Sequence, residues 1–160
     1  MNENEKIREE ILNTVNGLSD EQLNANPEKG RWSIIQVLDH LYLMERAITK
    51  SIADKLKSDE RVQAVDKPIE LTVNRDVKVE APSYVVPSDS FQTLDEVKDK
   101  LAESRSAFVQ LVHNADENDL EQKSFPHPLF KDLSLKQWIP FVGFHEKRHL
   151  LQIEELKSKL

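Results

Sequence analysis

Residues 32–56 read Trp-Ser-Ile-Ile-Gln-Val-Leu-Asp-His-Leu-Tyr-Leu-Met-Glu-Arg-Ala-Ile-Thr-Lys-Ser-Ile-Ala-Asp-Lys-Leu, and this stretch decides the fold. Ile34, Val37, Leu41, Met44, Ile48 and Ile52 recur at spacings of three and four, which lines them along one face of a helix. Ser33 and Gln36 have the form of a capping box, so the helix starts there. Its pattern fades between Leu56 and Ser58. A long helix with one apolar stripe must bury that stripe against others, and three further segments supply partners.

The first is upstream, where Ile7, Ile11, Val15 and Leu18 form a stripe with Glu and Lys or Arg between them. Gly17 and Ser19-Asp20 mark its end, and Asn26-Pro27 with Gly30 marks a turn. Downstream, Thr93 and Glu96 form a second capping box ahead of Leu94, Val97, Leu101, Phe108 and Leu111. Asn114 and the acidic run from Asp116 to Glu121 close that helix. The last helix opens at Ser134, with Gln137 three residues on, and carries Trp138, Phe141, Val142, Ile153 and Leu156. Pro140 removes one backbone hydrogen bond near its start, and Pro126-His127-Pro128 ahead of it reads as a rigid turn.

Residues 59–92 break the helical pattern with Pro68, Pro82 and Pro87 and with β-prone pieces around Ile69–Val73 and Tyr84–Val86. So long a connection inside a compact domain needs a reason. Helices of this reach are about 38 Å long, and two consecutive ones can run parallel only if a crossover spans that length. About 12 extended residues suffice. The expected fold is therefore all-α, a four-helix bundle in up-down-down-up order with a long crossover between its second and third helices.

Composition bounds the rest. The chain has 160 residues, which fits a single domain over residues 1–160. Lys and Arg number 22 against 29 Asp and Glu, a net charge of −7. That balance argues against nonspecific nucleic-acid or anionic-membrane binding. No apolar run approaches a membrane span, and Met-Asn-Glu-Asn-Glu-Lys is too polar for a signal peptide, so a cytoplasmic protein is expected. With no cysteine there is no disulfide, Cys-zinc site or thiolate nucleophile. Only 3 glycines, in neither phosphate-loop pattern, weigh against a nucleotide site.

Five histidines carry the functional signal. His145 and His149 lie one helical turn apart on one face, the spacing with which two imidazoles grip one metal ion. The same pair also reads as a polar patch or as two core residues bonded to backbone. His40 lies between Val37 and Met44, at the core edge of its helix. In an up-down-down-up bundle the second and fourth helices are antiparallel. His40 then lies about 10 Å from the start of one and His149 about 15 Å from the end of the other. Those levels let three imidazoles share one ion and leave a coordination position open, the pattern of a catalytic site. His113 reads as a C-terminal helix residue favoured by the dipole, and His127 as a histidine bonding a loop backbone.

His145-Glu146-Lys147-Arg148-His149 also matches the zinc-protease pattern H-E-x-x-H, in which the Glu is the general base. The context is poor for a protease. The metzincin continuation is absent, no later helix supplies a third ligand, and Glu154 shares the same helix. Glu146 sits about 100° round the helix from His145. It can act there as a catalytic base toward an activated water, or be a solvated surface charge.

Taken together, Arg31 to Leu41, Ala81 to Pro87, His127-Pro128-Leu129-Phe130, Gln137-Trp138 and His145 to Ile153 resemble the DinB/YfiT-like family of bacterial metal-binding four-helix bundles. The likeness covers nearly the whole chain with its pieces in order. It implies homodimers and one divalent ion, zinc or nickel, held by positions matching His40, His145 and His149. It also implies either a thiol S-transferase, joining a small thiol such as bacillithiol to an electrophile, or a metal-dependent hydrolase. A non-catalytic metal- or ligand-binding bundle is the alternative. The family usually has small residues and Gly after its His-Pro, and Phe130-Lys131 departs from that.

Overall fold

The computed structural model describes residues 2–160. Its long helices are α1 (Asn2–Val15), α3 (Ile34–Lys57), α4 (Leu94–Asn114) and α6 (Leu135–Ser158). Short helices α2 (Asp20–Asn24) and α5 (Glu117–Gln122) and a hairpin of β1 (Ser124–His127) and β2 (Lys131–Ser134) complete the chain. The start signals act as read. Ser33 with Gln36 and Thr93 with Glu96 form reciprocal capping boxes, and the Ser134 side chain accepts from the Gln137 amide. Pro140 is accommodated inside α6 without ending it.

Polar contacts between helices fix their directions. Asp39 meets Lys100 while Glu45 meets Ser104 and Arg105, so α3 and α4 run the same way. Asn4 reaches the Ile139 carbonyl, Arg8 reaches Glu146 and Lys157 reaches the Thr14 carbonyl, so α1 and α6 also run together. Arg8 meets Leu101 while Arg105 meets Glu5, which sets the α1 direction opposite to α4. Residues 58–93 carry the chain back along the bundle between α3 and α4.

Three local expectations are corrected. The β-prone pieces of the crossover are tight 3₁₀ turns, Ile69–Val73 and Ser83–Val85, because each pins a single apolar side chain, Ile69 or Val85, into the bundle. Pro126 is not in a turn. It sits in β1 opposite Asp132, and the turn follows at 128–130. A proline is tolerated in a two-stranded hairpin because each strand has an unpaired edge. Third, the buried stripe of α1 is Asn4, Arg8, Ile11 and Val15, with Ile7 and Leu18 only half-buried. Half of the inward face is polar, which an apolar count does not detect.

Arg8 is buried because the bundle centre is ionic. Arg8 of α1, Glu45 of α3, Arg105 of α4 and Glu146 of α6 close a ring, one residue from each long helix. Arg8 grips Glu146 with both Nε (2.8 Å) and Nη2 (3.0 Å), and its Nη2 also reaches Glu45 at 3.2 Å. Arg105 donates to Glu45 from Nε and to Glu146 from Nη2, each at 2.7 Å. Ser104 Oγ adds a 2.6 Å bond to Glu45. Two positive and two negative groups leave the ring neutral. Burial lowers the Arg8 pKa, but the charges and hydrogen bonds of Glu146 and Glu45 outweigh it and hold the group charged. Apolar layers lie around this ring, one including Ile11, Ile35, Leu38, Val97 and Ile153, another including Ile52, Phe108, Leu133 and Phe141.

Close approach of α1 and α6 depends on Gly143, where an added Cβ would overlap the Asn4 side chain. Gly143→Ala is expected to destabilise the protein by about 1–3 kcal/mol, as overpacking does. Urea unfolding checks this, and an unchanged midpoint would show that the helices part without cost.

Candidate metal centre

His40 on α3 and His145 and His149 on α6 meet where those helices pass each other. His40 Nε2 lies 3.2 Å from His145 Nε2, and His149 Nε2 lies 3.2 Å from the same atom. One ring nitrogen from each residue falls within 4.8 Å of the other two. Imidazole nitrogens about 2.0–2.1 Å from a tetrahedral ion stand about 3.4 Å apart. The two separations from His145 Nε2 match that value, and all three residues lie close enough to reach one ion.

The tautomers fit as well. His40 Nδ1 donates to the Val85 carbonyl at 2.8 Å, and His149 Nδ1 donates to Gln152 Oε1 at 2.7 Å. Each ring therefore carries its proton on Nδ1 and turns an Nε2 lone pair toward the other histidines. Without an ion, a proton on His145 Nε2 is shared between these two lone pairs; with His145 Nε2 unprotonated, a cation satisfies all three. Anchoring the distal nitrogen in this way is how metal-binding imidazoles are held in register. Trp32 packs over His40 with ring centroids 4.9 Å apart, which limits the swing of that imidazole.

Electrostatics keeps the cluster uncharged. Burial, then the His149 and His40 charges, hold the His145 pKa well below the ordinary imidazole range. Burial lowers His149 to about 3, with the neighbouring His40 adding to it. His40 is also lowered by burial, partly offset by the Val85 carbonyl and by Asp39. Neutral imidazoles are the form that ligates a metal.

Backbone order around the cluster comes from the crossover. Arg148 donates to the carbonyls of Thr72 (3.1 Å), Asn74 (2.7 Å) and Val77 (2.6 Å). Ser88 donates its amide to Asp39, the residue before His40. These bonds hold the segment that presents Val85 to His40. On its open side the cluster forms part of the wall of a cavity of about 1770 Å³, which Met44, Phe141 and Trp138 also line.

The other candidates lie elsewhere. Glu146 is not a solvated charge; it belongs to the buried ring, with both oxygens held by Arg8 and Arg105. His113 is exposed in the last turn of α4. His127 does bond loop backbone: its Nδ1 accepts from the amides of Leu129 (3.0 Å) and Phe130 (3.2 Å), and burial lowers its pKa to about 4. Both anchors escaped the sequence reading: Gln152 carries a signal in its place one turn after His149, whereas the Val85 carbonyl, a backbone group in a proline-rich segment, has no sequence signature.

The family model described as the DinB superfamily matches residues 3–153, and the chain belongs to that superfamily. The chain is 37% identical over 155 residues to the uncharacterised protein YuaE of Bacillus subtilis (strain 168), covering 97% of this chain and 95% of that one. It is 26% identical over 156 residues to a protein of Oceanobacillus iheyensis, OB0782, named as a candidate metal-dependent hydrolase, covering 98% and 83%. Two solved structures share the fold at a TM-score of 0.66. The four-helix bundle protein TT2238 is 19% identical, with 96% of this chain and 94% of that chain covered. YfiT from Bacillus subtilis, described as a candidate metal-dependent hydrolase of unusual four-helix bundle topology, is 16% identical, with 98% and 83% covered. No helix among the described residues is long and apolar enough to cross a membrane.

The depressed imidazole pKa values set a pH dependence for the metal-free protein. An unfolded histidine takes up a proton near pH 6.5, whereas folded His149 does so only near 3. Between those values the unfolded state binds more protons, so stability falls as pH falls and is unaffected by these groups above pH 6.5. Thermal midpoints after chelation are expected to drop through that window, more steeply than those of a His149→Gln variant.

Proposed function

We propose that the protein is a divalent-metal-dependent enzyme whose ion is held by His40, His145 and His149. The observation that carries this reading is the convergence of three Nε2 atoms, two of them with the distal proton pinned by a fixed acceptor, at the wall of an open cavity. A divalent ion bound there lowers the pKa of a water or thiol and polarises an electrophile. Zinc and nickel both suit imidazole donors.

The chain's own residues do the positioning. Val85 and Gln152 fix two donor lone pairs, Trp32 restrains His40, and Arg148 holds the crossover that carries Val85. Three neutral donors leave the ion's charge uncompensated, which favours an anionic nucleophile. A thiol brought in as cosubstrate fits a chain that has no cysteine of its own, and transfer of such a thiol to an electrophile is the favoured reaction. Hydrolysis is the competing reaction of the same centre. Glu146 is not the base in either reading, because its carboxylate is committed to two guanidinium groups.

Elemental analysis of the purified protein is expected to find one zinc or nickel per chain, lost from His40→Ala, His145→Ala and His149→Ala but not from His113→Ala. Full occupancy in His40→Ala would refute the site. Metal-loaded protein is expected to conjugate a bacillithiol-type thiol to a chlorinated nitroarene, and His149→Ala to abolish this. Ester or peptide cleavage without thiol would establish hydrolysis, and failure of every pair would leave a non-catalytic bundle as the better account.

Glu146→Gln separates ring from centre. It is expected to cost about 3–5 kcal/mol of stability, the cost of breaking a buried ion pair, while the folded variant still binds one ion. Loss of turnover in a fully folded, fully loaded Glu146→Gln protein would restore Glu146 as the base.

A further inference from the structure

We infer that His127 is the hydrogen-bond donor of a substrate subsite that takes a flat apolar body carrying a carbonyl-type oxygen. This rests on the metal-dependent reading above and names the class of its second substrate.

His127 ends β1 and faces the same cavity as the three clustered histidines. Two backbone amides donate to its Nδ1, so that nitrogen keeps its lone pair and the ring proton lies on Nε2. A second proton on Nδ1 would point at two N–H groups, so the ring stays neutral and its tautomer stays fixed. Among the described residues nothing accepts from Nε2. Hydrogen-bond donors set rigidly in an apolar wall bind strongly to acceptors placed correctly, because no reorganisation is needed.

The wall around it is aromatic. Phe130 and Phe141 pack on the His127 ring with centroids 4.8 Å away, and Trp138 at 5.5 Å. Phe125 stacks on Trp138 at 4.2 Å with the planes 8° apart. One ring, Phe141, separates the donor from the metal cluster: it lies 4.8 Å from His127 and 5.9 Å from His145. A planar ligand seated on this wall with its oxygen at His127 would have its other end beside His145. Lys131, the cross-strand partner of His127, closes the turn at φ +59°, a left-handed conformation that glycine adopts more readily than lysine.

The test compares acetophenone with ethylbenzene, which has nearly the same shape but no acceptor. Dissociation constants come from ligand-observed NMR on the full chain, metal-free and zinc-loaded. Acetophenone is expected to bind about tenfold tighter, the ratio that one neutral hydrogen bond gives. His127→Asn keeps an oxygen that can accept the Leu129 and Phe130 amides but removes the Nε2 donor, and it should erase the difference while leaving ethylbenzene unchanged. His127→Phe should do the same. Equal affinities in the natural protein, no binding of either ligand, or a preference that survives both variants would overturn the proposal. So would a preference present only with zinc, since that assigns the oxygen to the ion. The metal reading fails separately, through absence of bound ion in elemental analysis, and the metal-free titrations are unaffected by that failure.

Discussion

The ring of Arg8, Glu45, Arg105 and Glu146 is the constraint on which the bundle depends. Four charges without water around them are costly unless every one is paired. Here each carboxylate meets both guanidinium groups, so moving any one helix leaves its neighbours with a buried, unmatched charge. Apolar stripes tolerate sliding and rotation by small amounts; this arrangement does not. It therefore sets the rotation of each helix about its axis as well as its level. Glu146 points at the ring, so His145, one residue back and about 100° round the helix, must point elsewhere. Glu45 likewise lies five residues after His40, about 140° further round. The ring thus turns both histidine-bearing faces toward the cavity.

The crossover does for the centre what the ring does for the helices. Its length allows α3 and α4 to run in the same direction, and its anchored middle supplies a carbonyl to His40. Arg148 spends its guanidinium on three carbonyls of that segment. In an irregular stretch those oxygens would otherwise need water. Asp39 ties the far end by accepting from Ser88 and from Lys100 of α4. A segment that reads as a loop in the sequence is a structural wall of the site.

Much of this was legible in the residues. The four stripes, the capping serines and threonine, and the histidine spacing on α6 are local signals with periods of three to five residues. What was not legible has a common physical cause. Arg8, Glu45 and Arg105 look like surface charges because each is polar and helical, and only their convergence with Glu146 from four helices makes them interior. The hairpin at 124–134 escaped because its strands are four residues each and one contains Pro126. The Val85 carbonyl escaped because backbone groups carry no letter.

The five letters from His145 to His149 show why a motif is weaker than a geometry. His145 and His149 turn toward His40, Glu146 turns into the ion ring, and Arg148 reaches out to the crossover. Three directions leave one and a half turns of helix. In a zinc protease the same letters place the carboxylate beside the metal; here the two guanidinium groups draw it inward. Since the ring is neutral by itself, Glu146 lends no compensating charge to the histidines, and burial keeps those neutral as well. A cation held by them keeps its full charge toward the cavity. The division of labour along one helix is thus also an electrostatic division: charges that stabilise the fold cancel within the core, and the charge that would do chemistry is left uncancelled where substrate arrives.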